Sequence, residues 1–409
     1  MSYLKGNAVV GQSGGPTAAI NATLSGVIKG AYEGKKAGAI DKIYGMRNGI
    51  EGFLREDLVD LFGVFDNDDK LRTLCATPSA ALGSCRKKLK SYKDDAKTYE
   101  RILEVLKKYD IRYFFYIGGN DSMDTVLKLS DYANSHDYEL RVVGVPKTID
   151  NDLTHTDHTP GFGSAAKFVA TVIKEIQRDV SVYTVKAVTI VEVMGRDAGW
   201  LTAASALPAL SGVGAPDLIY LPECVFDLEQ FISDLERVQA DHPAVLVAVS
   251  EGIRFADGRY VGESDTVDAF GHKQLSGAGK VLESIVKDRL GCKVRSIELN
   301  LPQRCASHIA SKTDIVESSN VGKQAVAAAI GGKTGVMMTI ERLKSDKYGV
   351  YFATADIRNI ANEVKSVPRD YINEQGNGIS AKGLEYLAPL IVGELEIEYE
   401  NGMPKHIII

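Results

Sequence analysis

Short apolar runs alternate along the chain with longer segments in which apolar residues recur every three to four positions. The short runs are continuous, which is typical of strands buried on both faces of a parallel sheet. They predict strands at Ala8–Val10, Tyr113–Ile117, Val142–Val145, Val188–Val193, Leu218–Leu221, Ala244–Val249 and Val336–Ile340. The longer segments predict helices over Pro16–Ala31, from Ser122, and over Ser311–Ile330. Alternating strands and helices predict an α/β fold with a mostly parallel sheet.

Charge and cysteine content exclude several classes of protein. The 48 basic residues are outnumbered by 54 acidic ones, giving a net charge of −6, which argues against a nucleic-acid-binding surface. The five cysteines form no CxxC pair, as expected of reduced thiols in a cytosolic protein. No apolar run approaches the roughly 18 residues of a membrane span, and the first residues lack the apolar segment of a signal peptide. We therefore expect a cytoplasmic protein with no nucleic-acid or membrane partner.

The loop after the first strand, Gly11–Asn21, carries two adjacent glycines. Gly14 and Gly15 would let backbone N–H groups approach a ligand, and a helix N-terminus favours an anion. Pro16 suits the first turn of the following helix. A tight turn alone would also explain the glycines, so both interpretations stay open.

The loop GGNDS follows the strand Tyr113–Ile117. Asp121 or Ser122 could cap the next helix, which needs no further function. Asn120 and Asp121 could equally be oxygen ligands for Mg²⁺.

The segment PKTIDND, residues 146–152, follows the strand Val142–Val145. In open α/β sheets ligands bind beyond the carboxyl ends of the strands. Lys147 would suit a phosphate there, and Asp150 and Asp152 would suit a metal or act as a base. A turn with surface charges is the alternative.

The loop MGRDAG, residues 194–199, follows the strand Val188–Val193. Arg196, expected at a helix start, could present a bidentate fork to an anion, or it could pair with a neighbouring carboxylate. Four Gly- or Asp-bearing loops after four buried strands together predict a polyanion site with a metal.

The segments SGGPTAAIN, LGSCR, GGNDS, PKTIDND, VEVMGR, VSEGIR and PQR follow the order found in the phosphofructokinase family, and the chain resembles that family from residue 7 to about residue 390. VPRDYINEQGN and YLAPLI resemble its pyrophosphate-dependent branch. The resemblance implies Mg²⁺-dependent, reversible phosphoryl transfer from pyrophosphate to the 1-hydroxyl of fructose 6-phosphate.

The resemblance also implies two Rossmann-like three-layer α/β domains with mostly parallel sheets and the active site in the cleft between them. Residues 1–161 plus 304–360 would form the donor domain, and 162–303 plus 361–409 the acceptor domain. Because family sites borrow arginines from a neighbouring subunit, a homodimer or homotetramer is expected.

Site roles carried over by the resemblance divide among the two substrates and the metal. Asp150 would take the proton from the sugar hydroxyl, helped by Thr148, as carboxylates do in kinases. The positions that would hold fructose 6-phosphate are Thr148, Ile149, Asp150, Met194, Gly195, Arg196, Glu251 and Arg304. Arg295 would reach the sugar phosphate from a neighbouring subunit. A second such residue falls at Ala187 in a gapless match, but alanine cannot serve, so we assign Lys186.

The implied donor site contains Gly14, Gly15 and Arg86, and its metal positions are Asn120 and Asp152. Many relatives have Asp where this chain has Asn120, which could reach the metal directly or through water. ATP-using relatives have glycine at the positions of Lys147 and Asp121. Here the Asp121 carboxylate would occupy the place of a nucleotide α-phosphate and reject ATP. Lys147 would stabilise charge on the transferred phosphoryl group.

Two other classes of protein stay open. His155 and His158 stand near Asp150, Asp152 and Asp157 and could suggest a metal-dependent phosphatase, although we interpret both histidines as ordinary polar loop residues. A non-catalytic phosphosugar-binding subunit is the second alternative, and the intact Asp150 argues against it. An activity assay with pyrophosphate separates these hypotheses.

Overall fold

The computed structural model of the protein describes residues 3–212, 214–267, 273–275, 277–360 and 363–409. The strands are β1 Gly6–Gln12, β2 Ile40–Met46, β3 Leu58–Asp60, β4 Ile111–Gly118, β5 Arg141–Pro146, β6 Ala187–Val193, β7 Leu218–Tyr220, β8 Ala244–Ser250, β9 Glu263–Val267, β10 Lys273–Leu275, β11 Lys293–Glu298, β12 Val336–Arg342, β13 Val350–Asp356, β14 Tyr399–Glu400 and β15 Met403–Pro404. The helices are α1 Ile20–Lys36, α2 Gly49–Leu54, α3 Leu61–Val64, α4 Asp68–Ala76, α5 Ala96–Lys108, α6 Asn120–Ser135, α7 Phe162–Val180, α8 Trp200–Ala204, α9 Leu228–Asp241, α10 Ala278–Leu290, α11 Pro302–Cys305, α12 Lys312–Ile330 and α13 Ala381–Leu387. Short 3₁₀ turns lie at Leu207–Ser211, Ser307–Ile309, Ile357–Asn359, Arg369–Tyr371 and Ala388–Ile391.

The larger sheet has the strand order β13-β12-β5-β4-β1-β2-β3. Its five inner strands are parallel, and the outer strands β13 and β3 run antiparallel to their neighbours. Helices α1 and α12 cover one face, and α2, α5 and α6 cover the other. Strands β1, β4, β5 and β12 are therefore buried on both sides over most of their length, which explains their continuous apolar sequences, whereas β2 is partly exposed.

Helices α1 and α12 approach each other so closely that only glycine fits at the contact. A Cβ atom on Gly26 would lie 1.8 Å from the carbonyl oxygen of Ser319, and one on Gly322 would lie 2.2 Å from that of Thr23. The close packing fixes α1 behind the glycine turn that follows β1.

The second sheet has the order β11-β6-β8-β7 and is parallel throughout. Helices α7 and α8 pack on one face, together with the C-terminal residues 367–391, while α9 and α10 pack on the other. Beyond them the chain returns to the first sheet, where Ile407 and Ile409 pack against its core. The C-terminal part of the chain thus contacts both sheets.

The predicted α/β fold with mostly parallel sheets is confirmed, and all seven predicted strands are present. Three predicted helix starts are wrong. Helix α1 begins at Ile20, so Pro16 lies in the turn before it, and α6 begins at Asn120 with Gly119 as its N-cap. Arg196 lies in a bend, because the next helix starts only at Trp200. Within the described residues, no helix is long and apolar enough to cross a membrane.

Candidate active site

Lys147 is buried at the end of β5 and points at the glycine turn after β1. Its side chain is 3% exposed, and its ammonium donates a hydrogen bond to the carbonyl of Gly15. A Cβ atom on Gly14, which has a φ of +77°, would lie 3.5 Å from the Lys147 ammonium. Burial lowers the pKa of Lys147 to about 8, opposed by the negative charge of Asp150. The buried cation therefore lies directly against the backbone of the glycine turn, and we refer to this place as the corner at Lys147.

The Asp150 carboxylate lies beside this corner and is tied to Thr148. The Thr148 hydroxyl donates to Asp150 Oδ2 over 3.3 Å, and the Asp150 N–H donates to Thr148 Oγ1 over 3.1 Å. Burial raises the pKa of Asp150, while Thr148 and then Lys147 oppose the shift. A carboxylate with a raised pKa beside a cation is suited to accept a proton from a bound hydroxyl.

Asn151 turns the chain between the two acidic residues. It is fully buried and has a φ of +54°, in the left-handed region that Asn tolerates better than most residues. Its side chain donates to the Tyr386 hydroxyl over 3.0 Å and accepts from the Thr159 N–H over 3.1 Å. Burial, followed by the charge of Asp150, raises the pKa of Asp152 to about 7. The two carboxylates are therefore close enough to repel each other.

Asn120 begins α6 on the loop after β4. Its side-chain amide donates to the carbonyl of Glu363 over 3.0 Å. Its Oδ1 atom is buried and accepts no hydrogen bond within the described residues. A buried acceptor without a partner is costly and fits an oxygen ligand for a cation.

Loops of the second sheet form a polar corner around Glu251. The N–H of Gly195 donates to Glu251 Oε1 over 3.2 Å, and the N–H of Met194 donates to Gln303 Oε1 over 3.1 Å. Burial raises the pKa of Glu251, which is also affected by the charge of Asp150. The ends of β6 and β8 therefore lie close to the PKTIDND segment.

Two arginines approach the site without a carboxylate partner. No hydrogen bond or ion pair to the guanidinium group of Arg196 or Arg304 is found in the described part of the chain, whereas Asp197 pairs with Arg254 over 2.5 Å. An Arg304 nitrogen lies 3.2 Å from the position of a Cβ atom on Gly15. Among the described residues, Arg196 therefore does not make the carboxylate pair that was its alternative interpretation. Both guanidinium groups remain available for an anion.

Arg86 and Asp121 are both exposed, on the segment after α4 and at the start of α6. The Asp121 carboxylate is 78% exposed and pairs with Lys88 Nζ over 3.0 Å. The hydroxyl of Ser84 donates to the carbonyl of Gly14 over 2.6 Å, which holds the Arg86 loop against the glycine turn. Asp121 thus lies in the first turn of α6, and its carboxylate turns toward Lys88.

Arg295 and Lys186 lie away from the site of their own chain. Arg295 is exposed on the edge strand β11, and it pairs in register with Thr189. Thr189 stands four residues before the end of β6, about 13 Å from it at the usual rise per residue. Lys186 is exposed just before β6 starts. Neither side chain is brought to the polar corner around Glu251.

A few residues after the PKTIDND segment, the chain enters a buried network of ionisable side chains that the sequence did not suggest. His158 is 2% exposed, with Nδ1 at 2.8 Å from Asp157 and Nε2 at 2.6 Å from Glu317. Burial opposes its charge, but the hydrogen bonds to both carboxylates raise its pKa. Arg342 also pairs with Asp157 over 2.9 Å. His158 is therefore a buried residue held between two carboxylates, and its interpretation as an ordinary loop residue is wrong.

A cavity of about 910 Å³ lies elsewhere, between α9 and the loop around Asn377. Its polar groups satisfy each other, since Asn377 donates to Asp234 over 2.8 Å and so does the Tyr220 hydroxyl over 2.9 Å. The chemistry described above lies in the loops after β1, β4, β5 and β6, and the cavity is not part of it.

Several contacts of the site come from residues that the sequence did not single out. Gln303 lies in the quoted PQR segment, so its position next to Arg304 was a usable signal. Lys365 and Tyr386 lie more than 200 residues after the loop they contact, and no local pattern marks Lys365.

Comparison with known proteins agrees with this geometry. The sequence model of the family Phosphofructokinase matches residues 7–329. The chain is 42% identical over 401 residues to a pyrophosphate–fructose 6-phosphate 1-phosphotransferase of Halomonas elongata, covering 98% of this chain and 95% of the relative. It is 43% identical over 406 residues to the enzyme of the same name from Xanthomonas campestris, covering 98% and 96%.

A solved structure is similar over nearly the whole chain. The pyrophosphate-dependent phosphofructokinase from Nitrosospira multiformis superposes with a TM-score of 0.89 at 41% identity, covering 98% of this chain and 95% of that one. The chain belongs to the phosphofructokinase family. The predicted resemblance to its pyrophosphate-dependent branch is confirmed.

Proposed function

We propose that this protein transfers a phosphoryl group reversibly from pyrophosphate to the 1-hydroxyl of fructose 6-phosphate, giving fructose 1,6-bisphosphate and phosphate. The observation that carries the proposal is the buried Lys147 held against Gly15 beside Asp150. A compact tetra-anion needs a fixed cation near the transferred group, and the acceptor hydroxyl needs a base.

In the transfer step, Asp150 accepts the proton of the 1-hydroxyl while that oxygen forms a bond to the nearer phosphorus. The bond from this phosphorus to the bridging oxygen breaks, and phosphate leaves with the bridging oxygen. Thr148 orients the Asp150 carboxylate through the hydrogen bonds described above. Lys147, with Gly14 and Gly15, stabilises charge on the pyrophosphate, and Arg86 lies on the adjacent loop.

The acceptor would lie between the PKTIDND segment and the polar corner of the second sheet. We assign Thr148, Ile149, Met194, Gly195 and Glu251 to its sugar and Arg196 and Arg304 to its phosphate. Two guanidinium groups that have no carboxylate partner in the described ranges favour this assignment, because bidentate phosphate contacts are a characteristic use of arginine.

Mg²⁺ is the proposed cofactor, with Asn120 and Asp152 as the residues that would hold it. The unpartnered Oδ1 of Asn120 and the mutual repulsion of Asp150 and Asp152 both fit a cation here. When bound, Mg²⁺ neutralises charge on phosphate oxygens. Among the described residues no group of three His, Cys, Asp or Glu could hold a metal. Mg²⁺ in phosphoryl-transfer sites commonly uses one or two carboxylates with substrate phosphates and water.

We further propose a cytoplasmic homodimer or homotetramer in which Arg295 and Lys186 reach the site of a neighbouring subunit. Both are exposed at the end of the second sheet opposite their own site. Residues 1–161 plus 304–360 are proposed as the donor domain, and 162–303 plus 361–409 as the acceptor domain, with the last residues packing on the donor domain.

An assay of the purified protein with pyrophosphate, Mg²⁺ and fructose 6-phosphate tests the proposal. Formation of fructose 1,6-bisphosphate with one phosphate per turnover is expected. Phosphate release from fructose 6-phosphate without pyrophosphate would instead indicate a phosphatase, and binding without turnover a regulatory subunit.

A further inference from the structure

Lys365 is hydrogen-bonded to the PKTIDND segment and to residues that follow it. Its ammonium donates to the Asn151 side chain over 3.3 Å and to the carbonyls of Thr156 and Asp157 over 3.1 and 2.8 Å. Its backbone N–H donates to the carbonyl of Asp152 over 2.7 Å. One residue thus contacts the chain at four places, two within the PKTIDND segment and two just after it.

A second side chain from the C-terminal part of the chain contacts the same loop residues. The Tyr386 hydroxyl accepts from Asn151 over 3.0 Å and donates to the carbonyl of Asp157 over 2.6 Å. We name Lys365 and Tyr386 the C-terminal clamp. Both lie beyond the residues 7–329 that match the family model.

Lys365 is itself fixed by the acceptor side of the site. Its carbonyl accepts a hydrogen bond from the Trp200 indole over 2.8 Å, and its ammonium lies 5.3 Å from the centre of that ring. Two residues earlier, the carbonyl of Glu363 accepts from Asn120 on the donor side. Residues 363–365 therefore connect a loop after β4 of the first sheet with the helix after β6 of the second.

The loop needs such support because its own backbone is unusual. Asn151 has a φ of +54° between Asp150 and Asp152, and its buried side chain has three separate partners. Residues in the left-handed region persist when surrounding contacts hold them there. The direction of the Asp150 carboxylate depends on this turn.

We propose that Lys365 is a positioning residue for phosphoryl transfer, acting through Asn151 to set the orientation of Asp150. The inference rests on the proposed function. It concerns the rate of the chemical step, since the arginines assigned to the sugar phosphate lie on other loops.

Substitution of Lys365 by methionine keeps the side-chain length and removes the three ammonium hydrogen bonds. We expect kcat with pyrophosphate to fall about a hundredfold, the scale of a misplacement of about 1 Å. The KM for fructose 6-phosphate should stay within about threefold of wild type. A fall in kcat at a nearly unchanged KM distinguishes a positioning role of Lys365 from a loss of folded protein. Loss of folded protein lowers the active fraction and leaves kcat per active site unchanged.

Lys167→Met is the matched control. Lys167 also donates to a C-terminal carbonyl, that of Gly393 over 2.7 Å, but its described hydrogen bonds reach no part of the PKTIDND loop. This variant should keep wild-type kcat. If Lys365→Met does not accumulate as folded protein, the same constants are measured for Lys365→Gln. The shorter glutamine amide still donates hydrogen bonds but cannot reach all three acceptors.

A double variant tests whether Lys365 and Tyr386 act through the same loop residues. Lys365→Met and Tyr386→Phe each loosen Asn151 and Asp157, so their effects on kcat should combine to much less than the product of the single losses. A folded Lys365 variant with kcat within threefold of wild type, or an equal loss in Lys167→Met, would overturn the inference. Wild-type protein without pyrophosphate-dependent activity would instead refute the proposed function.

Discussion

The ammonium of Lys147 is hydrogen-bonded to the carbonyl of Gly15, which joins the end of β5 to the turn after β1. Because this contact is buried, the cation is fixed and poorly hydrated, and its pKa is lowered to about 8. A preorganised charge in such a place interacts strongly with charge that develops during a reaction.

Asp150→Asn should lower kcat by roughly two to four decades, because an amide cannot accept the hydroxyl proton. Binding of fructose 6-phosphate, measured by calorimetry, should be retained. Asp137→Asn, at an exposed loop position, is the control and should behave as wild type. Turnover of Asp150→Asn within a few-fold of wild type would exclude Asp150 as the base.

The lowered pKa of Lys147 predicts a decline of activity in mild alkali. A lysine is charged below its pKa and neutral above it, so kcat/KM for pyrophosphate should fall as pH rises through about 8. Arginine stays protonated throughout this range. The profile of Lys147→Arg, whatever its absolute rate, should lack this decline. The same alkaline decline in both proteins would assign it to another group.

Arg295→Ala should raise the KM for fructose 6-phosphate about tenfold or more, the effect of losing a hydrogen bond from a charged group. The KM for pyrophosphate should change little. Lys293→Ala removes another exposed cation two residues earlier on the same strand and serves as the control.

Subunit mixing tests whether that arginine acts in trans. Arg295→Ala protein combined with Asp150→Asn protein should regain part of the wild-type activity, since some mixed sites contain both native residues. Absence of activity in demonstrably mixed oligomers would argue against a shared site.

His158→Gln should lower the unfolding free energy by about 3 kcal/mol, because breaking a buried ion pair leaves charges uncompensated. Urea unfolding followed by fluorescence measures the change. The control is His242→Gln, which removes a 44% exposed histidine that pairs with Asp217 over 2.9 Å. An exposed pair contributes at most about 1 kcal/mol. Equal losses in the two variants would show that the buried His158 network adds no more to stability than the exposed pair.

The sequence predicted the strands that are buried on both faces, and the loops of the site, for one physical reason. Strands buried on both faces are continuous apolar runs, and the carboxyl ends of parallel strands meet at one edge. Strands β2 and β11 were missed because they are partly exposed and contain polar residues such as Asp41, Lys42 and Arg295.

The contacts behind the site could not be predicted in the same way. The start of α1 was misplaced because Pro16 can occupy a helix N-terminus or the turn before it. Lys365 reaches Asn151 across 214 residues of sequence, and neither residue lies in a periodic pattern that would reveal the contact. The buried state of His158 likewise depends on Glu317, 159 residues away.

Lys147 and Asp121 are proposed to select pyrophosphate over ATP as the phosphoryl donor. Replacing both by glycine should remove the fixed cation and the carboxylate at the mouth of the donor site. Loss of one preorganised electrostatic group costs about 3–4 kcal/mol of transition-state stabilisation, so pyrophosphate turnover should fall steeply. Removing the carboxylate should ease the entry of a nucleotide.

The most direct measurement is the ratio of kcat/KM for pyrophosphate to kcat/KM for ATP, taken with saturating fructose 6-phosphate and Mg²⁺. The wild-type ratio should lie far above one, and it should fall by at least two decades in the Lys147→Gly/Asp121→Gly double variant. A wild-type ratio below one, or a ratio that the double substitution leaves unchanged, would contradict the assignment of these residues to pyrophosphate selection.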